Sequence, residues 1–389
     1  MPWREVSVMD ARGEFVRLAL SEGSNRRELC RRFGISPDVG YKWLSRFKAG
    51  DERLADRSRR PHVSPHRSDA VREGHVLAIR DAHPAWGARK IARCLERTGI
   101  KPPALSTVHE ILRRHQRIRQ PEGASGAYQR FEKEAPNLLW QMDFKGAVPV
   151  GEAKCHPLTV VDDHSRYAVC LAACANEQNA TVQSRLETTF RRYGLPEAFF
   201  VDNGPPWSDS SGQPWTRLAV WLLKLGIDVL HSRPYHPQSR GKNERFHRTL
   251  NAEVFALRRF RDLAELQRAF DNWRTIYNFD RPHEALGQEV PASRYRPSPR
   301  VMPNRLPEVE YDDSEIVRTV GLTRDYISFK GRLWNVPRAF RGERLAIRPL
   351  VRDGQYGIFF GSHRIATIDL TRSKSVSHVS EQVSAMSPG

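Results

Sequence analysis

Residues Glu197 to Gly204 read EAFFVDNG: four apolar positions in a row, then an acid, an amide and a glycine. A short apolar run closed by turn formers reads as a buried strand. Upstream, NATVQSRLETTFRRYG (179–194) has helical spacing, PLTVVDD and YAVCLAAC read as strands around the turn DHSR, and NLLWQMDF (137–144) alternates as a third strand. Downstream come a helix, WTRLAVWLLKLG, a strand, IDVLHS, and a further helix within YHPQSRGKNERFHRTL (235–250). Three consecutive strands followed by helix, strand, helix, strand describe a mixed α/β sheet.

That order is the one found in sheets of the ribonuclease H kind, and it gives three acids distinct positions. Asp143 sits on the first strand, on one face with Gln141 and Lys145. Asp202 closes the fourth strand, at the carboxyl end where ligands of open α/β sheets collect. Glu244 is a lone acid at the start of a later helix, among Arg240, Lys242, Arg245, His247 and Arg248. Singly, each acid reads as an edge-strand charge, a turn former or a favourable charge in a helix first turn. Brought together they would repel, and a hard divalent cation with oxygen ligands is the usual remedy. Two such ions roughly 3.5–4 Å apart suit an in-line phosphoryl displacement.

Charge points to the substrate. The 63 Lys and Arg against 45 Asp and Glu leave +18, with a pI near 10.1. Such a balance favours a polyanionic partner, nucleic acid before membrane. Residues 1–136 hold 28 of those cations and 17 of the acids, so over half of the excess lies in a third of the chain. No stretch approaches the roughly 18 apolar residues of a membrane span, and MPWREVSVMD lacks a signal-peptide core. A cytoplasmic protein, nucleoid-associated when bound to DNA, is expected. Cys30, Cys94, Cys155, Cys170 and Cys174 form no CxxC pair and read as reduced, buried residues.

In the basic third, Asn25 with Glu28 makes a capping box ahead of ELCRRF, and Ser36 with Pro37 opens a second helix through Trp43, Leu44 and Phe47. Two short helices joined by GIS describe a helix-turn-helix, with Lys42, Arg46 and Lys48 available for DNA. A lone pair of this kind reads equally well as an ordinary helical hairpin with a solvated cationic face. The pattern recurs in WGARKIARCLERTGI and STVHEILRRHQRI, the latter with Thr107 and Glu110 as a capping box and Arg113 and Arg114 as its cations. Between them DRSRRPHVSPHRS, with Arg59 and Arg60, reads either as an arm along the DNA backbone or as a plain linker, and His62 and His66 lack the Cys pair of a zinc site.

After the sheet, LAELQRAFDNWRTIYN is helical, and His283 reads as a capping or packing residue. PASRYRPSPRVMPNRLPEVE carries five prolines, as linkers do, and YISFKGRLWNVP and YGIFFGSHRIATIDL read as hairpins turning at KGR and GSH. Trp334, Phe359 and Phe360 read as the core of that β domain, and Lys330, Arg332, Arg338, Arg341 and Arg344 as auxiliary DNA contacts. The expected plan is multidomain. It has helix-turn-helix domains at 1–55 and 68–120 around a basic linker (56–67), and an α/β core at 137–296. A Pro-rich linker (297–316), a small β-barrel domain (317–372) and a disordered Ser-rich tail (373–389) follow.

WQMDF, FVDNG and YHPQSRGKNERFHRTL, in this order on such a sheet, resemble the catalytic core of the DDE transposases and retroviral integrases. The resemblance is strongest to bacterial insertion-sequence transposases that carry helix-turn-helix domains ahead of an integrase core. It covers roughly residues 5–295. It implies that Asp143, Asp202 and Glu244 are a metal-binding catalytic triad holding two Mg²⁺ (or Mn²⁺) ions. It also implies double-stranded DNA partners, the element's terminal inverted repeats and the target, and a homodimer or larger assembly that cuts strands and transfers them. Asn203, His236, Gln238, Ser239 and Gly241 match family positions too, and Lys242, Arg245 and Arg248 are placed to hold phosphates. The His/His/Cys/Cys zinc domain of retroviral integrases is missing here, its place taken by the helix-turn-helix region. The loop PPWSDSSGQPW lengthens the spacing, so that 41 residues separate Asp202 from Glu244 and Asp209 becomes a rival to Asp202. Asp162 and Asp163 compete as well, although a hairpin turn in which Asp163, His164 and Ser165 satisfy the backbone accounts for them.

Overall fold

The computed structural model of the protein describes residues 7–56, 68–118, 132–209, 212–231, 241–371 and 377–379. The chain forms two compact units, Met1–Arg67 and Ser68–Gly389. Among the described residues no helix is long and apolar enough to cross a membrane, and all five cysteines are unpaired.

In the first unit, α1 (Val8–Leu20) packs on the helix pair α2 (Arg26–Arg32) and α3 (Pro37–Lys48). Local chemistry sets these ends: Asn25 accepts from the Glu28 N–H, and Ser36 from the Val39 N–H. Gly34 makes the turn between them with a left-handed φ of 66°. Phe15, Val16, Ala19, Cys30, Trp43, Leu44 and Leu54 form the core.

The second unit opens with α4 (Ala70–Ala82), α5 (Ala88–Arg97) and α6 (Leu105–Arg114), closed around Val76, Trp86, Ile91, Leu95, Val108 and Ile111. The expected Thr107–Glu110 capping box is not formed. Helix α6 starts earlier, after Ala104 and without a side-chain cap, so Thr107 lies inside it and Glu110 pairs with Arg113. On α5 the basic stripe at spacing four turns inward to the α/β core. Arg89 pairs with Glu284 at 3.1 Å, Arg93 with Glu289, and Arg97 donates to the carbonyls of Asp280 and Phe279.

The core sheet holds β1 (Trp140–Phe144), β2 (Val148–Val150), β3 (Ala153–Asp162), β4 (Ala168–Cys174), β5 (Ala198–Val201) and β6 (Asp228–His231). β3 pairs antiparallel with β1, β2 and β4, while β5 runs parallel to both β1 and β6. Crossover helices α7 (Asn179–Tyr193) and α8 (Arg217–Lys224) cover one face over Trp140, Leu158, Phe190 and Phe199. Helices α9 (Gly241–Leu250) and α10 (Leu263–Thr275) cover the other, through Phe246, Leu250, Phe270 and Trp273 against Val161 and Leu171. Side chains rather than a further strand satisfy the outer edge of β4. Gln267 bonds the Ala173 N–H and Leu171 carbonyl, Arg274 the Val169 carbonyl, and Asn278 both groups of Ala168.

The Pro-rich segment is docked, not loose. Tyr295 stacks on Tyr167 at 4.2 Å, Ser298 N–H donates to the Tyr193 carbonyl, and Met302 packs against the core. Beyond it, β7 (Ile316–Thr319), β10 (Arg344–Pro349), β11 (Gln355–Phe360), β12 (His363–Asp369) and β13 (Ser377–Val379) form a five-stranded antiparallel sheet. The strands β8 (Tyr326–Phe329) and β9 (Arg332–Asn335) form a separate hairpin turning at Lys330–Gly331. Among the described residues the strands of this domain therefore make two sheets rather than the expected closed barrel, because β8 and β9 pair as strands only with each other. Three tail residues expected to be disordered, 377–379, instead extend the larger sheet. Trp334 and Phe360 are buried as expected, with Val220 of α8 in the same cluster; Phe359 is half-buried under the Arg348 guanidinium.

Candidate active site

Asp143 lies on β1 and Asp202 directly after β5, the strand that pairs in parallel with β1. Trp140 lies opposite Phe199 and Gln141 opposite Phe200, a register that, continued beyond the paired residues, would bring Asp143 level with Asp202. Trp140, Met142, Phe199 and Val201 face the crossover helices, so strand alternation turns both acids to the opposite face. Asp202 directly follows β5 and accepts from the Gly204 N–H at 3.1 Å. His231, ending β6, holds the Asp202 carbonyl through Nδ1–H at 3.0 Å, and burial lowers its pKa. Its ring is therefore neutral with a fixed tautomer, a support that no sequence motif marked.

Glu244 is exposed in the first turn of α9, while Asn243, Phe246 and Leu250 form the helix's buried face. Two side chains of this helix reach polar groups at β3. Lys242 Nζ lies 2.5 Å from Asp163 Oδ1, and His247 Nε2 lies 2.9 Å from Thr159 Oγ1. Thr159 is the ladder partner of Asp143, and its hydroxyl donates to the Asp143 carbonyl at 2.9 Å. That uses the hydroxyl's one hydrogen, so His247 must donate. Burial, with Lys145 adding to it, pushes His247 down to about 4, leaving the ring neutral.

The three carboxylates do not close into one group: among the described residues no three His, Cys, Asp or Glu side chains gather as a metal-holding cluster. Asp143 on β1 and Asp202 after β5 lie on paired strands, and α9, which carries Glu244, reaches the Asp143 carbonyl through His247 and Thr159. Asp209 is exposed and forms a turn, accepting from the Gln213 N–H.

Asp162 and Asp163 divide the work expected of the hairpin. Asp162, its pKa raised by burial, accepts from the N–H and hydroxyl of Ser165 and from the Asn137 N–H. Asp163, fully buried, takes the Lys133 N–H, the Gln141 amide and Lys242. Burial lowers the Lys242 pKa to about 8 against the pull of Asp163. Removing one partner of such a buried pair costs about 3–5 kcal/mol. His283 caps a short 3-10 turn by accepting from the Ala285 N–H.

The expected DNA contacts also separate. Lys42 and Lys48 are exposed on α3, whereas Arg46 lies over Trp43 and pairs with Asp51 and the Ala55 carbonyl. Arg113 is exposed and pairs with Glu110 of its own helix; Arg114 instead pairs with the buried Glu73, which also hydrogen-bonds His115 Nε2 at 2.9 Å. Arg245, 4.0 Å from Glu284, and Arg248 are exposed beside Glu244. In the β domain Lys330 bonds Tyr356, and Arg338 and Arg341 pair with Asp325. Arg59, Arg60, His62, His66, His236, Gln238 and Ser239 lie outside the described residues.

Comparison with known proteins follows this plan along the chain. Residues 315–376 match the family described as IS481 family transposase, C-terminal domain, and residues 133–237 and 225–291 match integrase core domain families. Residues 11–62 match a helix-turn-helix domain and 39–112 a homeodomain-like domain. The chain is 27% identical over 227 residues to the insertion element IS476 uncharacterized 39.2 kDa protein of Xanthomonas euvesicatoria, covering 58% of this chain and 60% of that one. It is 29% identical over 160 residues to the insertion element IS407 uncharacterized 31.7 kDa protein of Burkholderia multivorans, covering 41% and 55%. To the Gag-Pol polyprotein of baboon endogenous virus it is 27% identical over 208 residues, covering 52% and 11%. It thus spans at most 60% of the length of these relatives. With a match to an insertion-sequence transposase C-terminal domain behind matches to integrase core domains, and insertion-element proteins among its relatives, the chain is similar along most of its length to insertion-sequence transposases that carry a retroviral integrase-type core.

Proposed function

We propose that the protein is a DNA transposase that binds the terminal inverted repeats of its mobile element and catalyses Mg-dependent strand cleavage and strand transfer, with Asp143, Asp202 and Glu244 as a carboxylate triad. The observation that supports this reading is the parallel register of β1 and β5, Trp140 with Phe199 and Gln141 with Phe200, which carried two residues further would bring Asp143 level with Asp202. The donor set suits a hard cation, since all three groups offer carboxylate oxygens. Two Mg²⁺ or Mn²⁺ ions, when bound, would activate the attacking oxygen and stabilise the departing one.

The chain's own residues supply placement. Asp143 and Asp202 hold their oxygens on adjacent strands, with His231 and Thr159 fixing the backbone carbonyls beneath them. Arg245 and Arg248 give the substrate backbone cationic contacts beside Glu244, without sequence preference. Lys42 and Lys48 lie on the second helix of a helix-turn-helix, the element that reads the major groove. Arg113 serves the second such domain and Arg59 and Arg60 the arm between them, while Arg46 and Arg114 serve their own folds. A homodimer or larger assembly holds both element ends.

The intact chain, given Mg²⁺ and a labelled duplex carrying the element's end, should cut one strand and join the freed 3′ end to target DNA. Asp202→Asn should bind that duplex unchanged and do neither. Intact protein that binds the duplex but never cuts it removes this reading.

A further inference from the structure

Glu244 is the one member of the proposed triad that does not ride on the sheet, so its position depends on whatever holds α9. Phe246 and Leu250 bury the helix against the sheet, but apolar contact is non-directional and leaves sliding and rotation cheap. Direction comes from two polar contacts that bracket Glu244, Lys242 with Asp163 at 2.5 Å and His247 with Thr159 at 2.9 Å. One anchor is two residues before Glu244 and the other three after it, each within a helical turn.

Both contacts end on rigid ground. Asp163 is fully buried, fixed by the Lys133 N–H and the Gln141 amide, and its own N–H donates to the Leu139 carbonyl. Thr159 is fully buried and bonds the carbonyl of Asp143. An unbroken path therefore runs from the helix that carries Glu244 to the backbone of Asp143.

We propose that Lys242 and His247 are positioning residues that clamp α9 to β3 and its end, setting the height and rotation at which Glu244 meets Asp143. The clamp deepens the transposase reading and rests on it for its purpose. It also reassigns Lys242, whose charge is directed to a buried carboxylate rather than to substrate phosphate.

The test uses the intact chain with Lys242→Met, Lys242→Arg, His247→Leu and His247→Gln, reading Mn²⁺ binding by titration, amide exchange across α9, and affinity for the element-end duplex. Lys242→Met and His247→Leu should weaken Mn²⁺ binding about tenfold or more, as losses of supporting contacts around metal ligands do. They should also speed α9 exchange, with duplex affinity unchanged. His247→Gln and Lys242→Arg, which keep an N–H donor, should recover most of both. Should Lys242→Met fail to fold, the His247 pair decides alone. Wild-type Mn²⁺ affinity and exchange in either breaking variant overturns the clamp, as does a loss confined to duplex affinity. A chain that never cuts DNA, yet shows faster α9 exchange in the variants, sinks the transposase reading and leaves the clamp standing.

Discussion

Gly40 of α3 stands so close to Cys30 of α2 that a Cβ there would lie 2.6 Å from the Cys30 Sγ, and 2.8 Å from Phe15 Cζ. A glycine inside a helix costs about 1 kcal/mol relative to alanine, so this one is kept for the approach of the helices. Gly40→Ala is expected to lower stability by about 1–3 kcal/mol through overpacking, despite its better propensity. Gly13→Ala, in α1 with open space around it, should instead raise stability by up to about 1 kcal/mol. Hydrogen exchange of the α1–α3 amides in the intact chain measures both; effects of the same sign would contradict the packing argument.

Asn278 closes the outer edge of β4 by accepting from the Ala168 N–H at 2.8 Å and donating to its carbonyl at 3.1 Å. The site is buried, so water cannot simply replace the amide. Asn278→Ala should cost about 2–4 kcal/mol, because it leaves two backbone groups unsatisfied. The shift in urea midpoint reports the loss. A change under about 0.5 kcal/mol, as ordinary surface substitutions give, would show that the edge is not held by this side chain.

Burial pushes the His283 pKa down to about 3, and the nearby cations Arg281, Arg166, Lys90 and Arg245 add to the effect. Because the folded-state value lies below the ordinary one, the unfolded chain binds a proton that the folded chain refuses between about pH 6.5 and 3. Stability should therefore fall as pH is lowered through that window. His283→Asn keeps an acceptor for the Ala285 N–H and removes the titration, so it should lose about 2 kcal/mol less than the wild type between pH 7 and 4.5. Other buried histidines contribute equally to both proteins and cancel. Parallel stability curves for the two would refute the assignment.

What could be read from sequence follows the range of the interaction. Asn25 and Ser36 cap their helices with residues three positions away, and the residues alone announce it. The apolar run before Asp202 likewise declares a strand end, and the strand order follows from a few connections. Lys242, Arg46 and Arg114 were legible only as positive charge, and charge does not say which way a side chain points. Each turns to an acid that folding supplies, Asp163 and Glu73 from far along the chain and Asp51 from just beyond the helix. The same limit hid the roles of Thr159 and His231, whose partners are backbone carbonyls brought close by strand pairing. His247 could have been found from its place three residues after Glu244, on the same side of α9.

The Pro-rich segment makes the same point and gives a last test. Proline content suggests a free tether, yet Arg300 donates to the carbonyls of Pro196, Leu225 and Gly226 and to Glu197, at 2.7–3.0 Å. Gly194, at a left-handed φ of 78°, lets the segment come so close that a Cβ would meet the carbonyl oxygens of Ser298 and Arg300. Arg300→Ala should cost about 2–3 kcal/mol by abandoning three carbonyls. Gly194→Ala should cost at least as much, since it adds about 1–2 kcal/mol of backbone strain to a direct clash. Both should also open residues 297–316 to limited proteolysis, which the wild type resists. A simple tether predicts the opposite: cleavage of the wild type in that segment and melting temperatures unmoved by either substitution.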